Sequence, residues 1–177
     1  MAIDPSYAAR EILQFIRDRG LNLIRIVNTH GHRDHTEGNR WLKENTGAEV
    51  AVHEEDARYL PDPPDMLLHD GDVLNVGEIE VKVIHTPGHT PGGICLLSGD
   101  TLFTGDTLFV GNCGRTDLPG GSDEDLFESL RRISELDDDV KVCPGHAYWG
   151  SVSTIGTEKR TNPAMASKSL GEFRLVP

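Results

Sequence analysis

Apolar residues recur near the start of the chain at Ala9, Ile12, Leu13 and Ile16, the three-and-four spacing of one helix face. Ser6 stands where a cap belongs and Gly20 where a left-handed stop belongs, so the spacing predicts a helix running to about Arg19. Residues 23–27 are apolar and β-branched and read as a short buried strand that delivers the chain to Thr29 and a histidine-rich segment. A second helix is predicted over residues 37–45, stopped by Gly47. Glu49–His53 reads as a strand and Glu54–Tyr59 as a helical turn before a proline loop at 61–64. The period then drops to two. Val73–Val76 and residues 79–84 form a hairpin around Gly77-Glu78, with Ile79, Val81 and Val83 inward and Glu80 and Lys82 outward. Residues 94–97 and 102–104 extend that sheet. Ser122 and Asp125 suit a capping box for a helix with Leu126, Phe127, Leu130 and Ile133 on its inner face, and residues 140–143 make a last strand. Helices and strands both contribute heavily, which predicts an α+β fold. No repeat or flexible linker interrupts it, so residues 1–177 are expected to form a single domain.

Charge narrows the partners. The 29 acids against 17 bases give a formal net charge of −12, which repels phosphate backbones and anionic lipid and argues against nucleic acid or a membrane as partner. The deficit is uneven. Residues 151–177 form a basic segment, with Lys159, Arg160, Lys168 and Arg174 against Glu158 and Glu172, so an anion-binding patch is expected to draw on it. Cys95, Cys113 and Cys143 are odd in number and widely spaced, which fits neither a disulfide framework nor a cysteine zinc site. They read as reduced thiols. No apolar run approaches the roughly 20 residues of a membrane span, and the first residues lack the pattern of a signal peptide, so a cytoplasmic location is expected.

The chemistry concentrates in His30-Gly31-His32-Arg33-Asp34-His35, three imidazoles and a carboxylate in six positions at the end of a strand. Zinc and iron favour such ligands. Later strand ends supply more of the same: His89 within Thr86-Pro87-Gly88-His89-Thr90-Pro91-Gly92, Asp106 within Thr104-Gly105-Asp106-Thr107, and His146 within Pro144-Gly145-His146. His85 reads as a packing residue near the ligands, and His53 and His69 as ordinary turn and strand-end residues. Cys113 reads as a small residue in a tight loop.

In this ordered series of motifs, from Ile3-Asp4-Pro5 through Arg160-Thr161-Asn162-Pro163, the chain resembles the metallo-β-lactamase superfamily, and most closely its glyoxalase II-like and persulfide dioxygenase-like branch. The resemblance implies an αββα sandwich with a metal site along one edge of two packed sheets. It implies two divalent metal ions, zinc first and iron as the alternative. His30, His32 and His89 would hold one, Asp34, His35 and His146 the other, and Asp106 would bridge them. The activity implied is a metallo-hydrolase like hydroxyacylglutathione hydrolase, cleaving a small thioester or ester with a metal-bound hydroxide that Asp34 orients or deprotonates. The expected partner is a small anionic thiol-derived substrate such as a glutathione conjugate, met by Arg115, Tyr148, Lys159 and Arg160. The alternative is a mononuclear iron glutathione persulfide dioxygenase using His30, His89 and Asp106, although that pattern usually has Asp where this chain has Ala147. A metal-binding scaffold without activity is the third reading. Relatives of this kind carry strands ahead of the Asp-Pro found here at positions 4 and 5, so the sandwich is expected to lack its first strands, and a homo-oligomer that covers the exposed sheet edge is a further expectation.

Overall fold

The computed structural model describes residues 1–176. Its first sheet is parallel throughout, with β1 (Ala2–Ile3) beside β2 (Arg25–Val27), β2 beside β3 (Glu49–His53), and β3 beside β4 (Met66–Leu68). Parallel neighbours require crossovers, and short helices supply them. A 3-10 turn at Ser6–Ala8 leads into α1 (Ala9–Asp18) between β1 and β2, and α2 (Arg33–Thr36) and α3 (Asn39–Thr46) lie between β2 and β3. The second sheet begins as an antiparallel meander of β5 (Val73–Val76), β6 (Ile79–His85), β7 (Ile94–Ser98) and β8 (Thr101–Gly105). A small hairpin of β9 (Leu108–Phe109) and β10 (Asn112–Cys113) follows, then α4 (Asp123–Ser134). β11 (Lys141–Pro144) returns parallel to β8, and β12 (Ser153–Thr154) pairs with it antiparallel. α5 (Ile155–Thr161), α6 (Pro163–Ala166) and α7 (Leu170–Phe173) come last.

Three apolar layers hold these elements together. Val27, Ala51 and Leu68 of the first sheet meet Val81, Val83, Ile94 and Leu96 of the second. Ile26 and Val50 point the opposite way, against Leu13, Ile16 and Leu42 of the helices outside the first sheet. Leu102 and Val142 of the second sheet turn outward to Leu126, Leu130, Ile133 and Ile155. Successive strand residues thus feed two different layers, which is why Ile26-Val27 and Val50-Ala51-Val52 are apolar without alternation. The order helix, sheet, sheet, helix is the αββα sandwich. Leu126 is fully buried, and truncating such a side chain to alanine costs about 2–5 kcal/mol.

Several local expectations give way to tertiary constraints. Ser6 caps nothing: its φ is +47°, it opens the 3-10 turn, and the α-helix starts only at Ala9. The helix expected over 37–45 forms as α3, two residues later at its start and stopped by Gly47 as expected, but the segment before it, read as loop, holds the separate short helix α2; the two meet around Gly38, where a Cβ would press on the Ser6 carbonyl and on Ala9. Ile79, expected inward, is 59% exposed at the hairpin end, whereas Val81 and Val83 are buried. The strand Met66–Leu68 has no counterpart in the pattern, because three residues are too few to show a period. The helix capped by Ser122 forms as expected, with the Ser122 hydroxyl accepting the Asp125 N–H at 3.2 Å.

Candidate metal centre

Each candidate ligand follows the C-terminal end of a strand. His30 and His32 lie in the loop after β2, Asp34 and His35 on α2, His89 after β6, Asp106 after β8 and His146 after β11. The two sheets bring these ends to one edge, and the seven side chains converge there. His32 Nδ1 is 3.0 Å from His89 Nε2, and His35 Nε2 is 3.1 Å from His146 Nε2. Asp106 stands between the two groups, with Oδ1 3.4 Å from His35 Nε2 and Oδ2 3.6 Å from His89 Nε2 and 3.5 Å from His146 Nε2. Asp34 Oδ2 lies 3.3 Å from His146 Nε2. His30, His32 and His89 form one triad of donor atoms within 4.8 Å of one another, and Asp34, His35 and His146 form a second.

Outer hydrogen bonds set which nitrogen faces inward. The Arg115 carbonyl can only accept, so His89 Nδ1 donates to it at 2.7 Å and leaves Nε2 as a lone pair. Asp4 Oδ2 holds His35 Nδ1 at 2.9 Å with the same result. The Thr29 hydroxyl donates to Asp4 Oδ2, so it accepts from His30 Nδ1 at 3.2 Å and turns His30 Nε2 to the centre. His30 Nε2 and Asp106 Oδ1 are buried without a hydrogen-bond partner among the described residues. Such orphans cost about 1–3 kcal/mol each unless something satisfies them. Burial together with neighbouring imidazoles holds His30 well below the ordinary histidine range, and burial holds His89 down at about 4. Burial drives the Asp106 carboxyl upward, against the pull of His35 and His146. Inward-facing imidazole nitrogens around a buried carboxylate are the donors a divalent cation takes, so the set fits zinc or iron.

Two carboxylates missed at the sequence level hold the ligand loops. Asp4, at φ +44°, accepts the Thr29 N–H as well as the Thr29 hydroxyl and His35. Asp56, in the 3-10 turn Glu54–Tyr59, is fully buried and accepts the Gly31 N–H and the Gly92 N–H at 2.7 Å each. One carboxylate therefore ties the His30–His32 loop to the loop that follows His89. It needs bare backbone at its partner, since a Cβ on Gly92 would overlap Asp56 itself. The signal for Asp56 was masked by Glu54 and Glu55, which make the trio resemble a solvated first turn. α4 braces the other side of the His89 loop. Ser129 donates to the Pro87 carbonyl at 2.7 Å, and Gly88, at φ +131°, lies where any Cβ would strike the Leu126 backbone.

A cavity of about 560 Å³ opens beside His89 and Asp106. Phe109, Tyr148, Trp149 and Phe173 line it with aromatic surface, and Arg115 and Arg174 bring charge. Tyr148 stacks on His146, with centroids 5.0 Å apart and planes 22° from parallel, yet it is 63% exposed. Buried Glu158 accepts the Gly111 N–H, and Asn162 donates to the Phe109 and Asn112 carbonyls, so the end of the chain shapes this wall. Of the four expected substrate contacts, Arg115 and Tyr148 line the cavity. Lys159 and Arg160 do not. Lys159 bonds Asp138 at 2.6 Å, and Arg160 lies 4.0 Å from the same carboxylate. Cys113 does line the cavity, and burial pushes its thiol up to about 12, which keeps it protonated.

An αββα sandwich with paired histidine and carboxylate triads at its strand ends defines a class, and the chain belongs to it: residues 3–146 match the family model of the metallo-beta-lactamase superfamily. Within that superfamily it is similar to the hydroxyacylglutathione hydrolase GloC of Haemophilus influenzae, with 37% identity covering 94% of this chain and 87% of that protein. It is 42% identical to a hydroxyacylglutathione hydrolase of Cereibacter sphaeroides over 81% of its length, but spans only 56% of that enzyme. Among solved structures it resembles ETHE1 from Myxococcus xanthus, with a TM-score of 0.89, 37% identity, and coverage of 99% of this chain and 80% of that one. It also resembles TTHA1623 in a di-iron-bound form, with a TM-score of 0.78, 35% identity, and coverage of 91% and 87%. These relatives place it in the glyoxalase II-like and persulfide dioxygenase-like branch.

Proposed function

We propose that the protein is a metal-dependent thioester hydrolase of the hydroxyacylglutathione hydrolase type, acting on a small thiol-derived substrate in the cytoplasm. The observation that supports it above others is the pair of donor triads on either side of Asp106, a set built for two ions and not one. His30, His32 and His89 would hold the first, Asp34, His35 and His146 the second, and zinc suits the mainly imidazole ligands. Bound there, two divalent ions lower the pKa of water toward about 7 and polarise a carbonyl, which provides a nucleophile at neutral pH.

The chain's own residues do the rest. Asp34 has the most exposed carboxylate of the set and stands 3.3 Å from His146, so it can accept a proton at Oδ2 on the open side. Tyr148 and Trp149 offer apolar surface to the acyl group and thiol stem. Arg115, exposed at the cavity rim, offers a guanidinium to a carboxylate of the thiol.

A mononuclear iron dioxygenase acting on a thiol persulfide is the second reading. It is favoured by His30, His89 and Asp106, two imidazoles and a carboxylate of the kind used by non-haem ferrous sites, with the orphaned His30 Nε2 and Asp106 Oδ1 among them. The deciding experiment purifies the protein without added metal, measures bound zinc and iron, and assays thiol release from S-lactoylglutathione beside oxygen uptake with glutathione persulfide. Thiol release with two ions per chain supports the hydrolase. Oxygen uptake with one iron and no thioester cleavage overturns it in favour of the dioxygenase.

A further inference from the structure

Five of the eight histidines belong to the metal centre, and the remaining three gather at a second place. His53 ends β3 in the first sheet, His85 ends β6 in the second, and His69 lies in the turn between β4 and β5. His53 and His85 stack with centroids 4.0 Å apart and planes 9° from parallel, and the His69 ring is 6.4 Å from His53. A donor atom from each of His53, Glu55 and His85 lies within 4.8 Å of the other two. The surroundings are acidic, with Glu54 Oε2 3.5 Å and Asp72 Oδ2 3.6 Å from the His69 nitrogens.

The ring nitrogens are suited to a cation. His85 Nε2 donates to the Pro91 carbonyl at 2.8 Å, so Nδ1 carries the lone pair. His53 Nδ1 receives only a long contact from the Glu55 N–H, at 3.4 Å. Burial and the neighbouring His85 lower the proton affinity of His53, which keeps the ring in its ligating form. Other nearby charge is already committed, because Asp70 is held by Arg132 and by the His85 N–H.

We infer that His53, Glu55 and His85 form a second, peripheral site for a borderline transition-metal ion such as zinc, copper or nickel, separate from the centre at Asp106. Two imidazoles and a carboxylate are a ligand set that such ions accept readily. Parallel rings aim their in-plane lone pairs along parallel lines, so loading turns one ring out of the stack. The peripheral ion is therefore held more weakly than the ions at the centre. When bound it clasps the end of β3 to the end of β6, one strand from each sheet, next to the Asp56 carboxylate that carries both ligand loops.

The test counts ions. Metal-free protein is dialysed to equilibrium against zinc, and bound metal per chain is measured for wild type, for Glu55→Gln, and for His53→Gln with Glu55→Gln. Wild type takes up one ion per chain more than the double variant, while thioester turnover is the same in both. Its last ion also binds more tightly than that of Glu55→Gln, a change at an exposed side chain that leaves the fold intact. Copper added to the zinc-loaded wild type gives an electron paramagnetic resonance signal split by ring nitrogen, and the double variant lacks it. Equal ion counts in wild type and Glu55→Gln at every zinc concentration overturn the site, whatever reaction the main centre catalyses.

Discussion

The proposed ligand side and the proposed substrate side of the centre are built on opposite terms. His30, His35, His89 and Asp106 are buried; hydrogen bonds to Asp4, the Thr29 hydroxyl and the Arg115 carbonyl fix the rings, and those from the 31 and 92 backbone amides to Asp56 fix the loops. Tyr148, Trp149 and Arg115 are each more than 60% exposed, and Arg115 answers only to Asp117, two residues away. The contrast separates two jobs. Ions need donors fixed to a fraction of an ångström, whereas a flexible thiol ester needs a surface that yields to it. Changes on the first side should alter metal content, and changes on the second should alter KM alone.

The largest effect is expected at the bridge between the triads. Asp106→Ala removes the carboxylate that lies within 3.6 Å of His35, His89 and His146 and leaves three imidazoles facing each other. Metal affinity should fall by more than about 100-fold, beyond the ~10–100-fold typical of partners that only orient a ligand. Titration against a competing chelator reads the affinity directly. Retention of two ions with wild-type affinity would contradict the ligand assignment.

A smaller effect is expected at Asp56, which touches no donor atom but holds both ligand loops by their backbone. Asp56→Asn keeps the size and one acceptor while turning an N–H toward either Gly31 or Gly92, so one of the two loops loses its tether. Metal affinity should drop roughly 10–100-fold, as it does when the partners of metal ligands are removed. A purely structural role would instead lower the melting temperature of the metal-free protein and leave the affinity of the surviving fold unchanged.

How much of this could be read in the sequence follows from the range of each interaction. Helix α4 and the hairpin at Gly77-Glu78 were legible because caps and periods are local, and Ser122 bonds within three residues of itself. The histidine motif was legible because four donors fall in six positions. The holding roles of Asp4, which belongs to the motif series, and of Asp56, which resembles an ordinary loop acid, were not, since each acts on partners 25 or more residues away. His53 and His85 were opaque for the same reason: 32 positions separate two rings that end up stacked across the two sheets. Charge misled as well. The excess of bases in residues 151–177 suggested Lys159 and Arg160 as anion contacts, but a count of charges cannot reveal that Asp138 lies beside both.

The smallest expected effect separates those two cations from the cavity. Arg115 lines it, so Arg115→Ala should raise KM for an anionic thioester roughly tenfold, the scale of one exposed charge-assisted contact, with kcat and metal content unchanged. Lys159→Ala should leave KM where it was, because Lys159 does not line the cavity. Raising the salt should then weaken binding to wild type and not to Arg115→Ala, since an exposed ion contact is screened within about 10 Å at 0.1 M. If Lys159→Ala raised KM as much as Arg115→Ala, the thiol would have to sit along α5 and not against Tyr148, and the division between a fixed ligand side and a yielding substrate side would need to be drawn elsewhere.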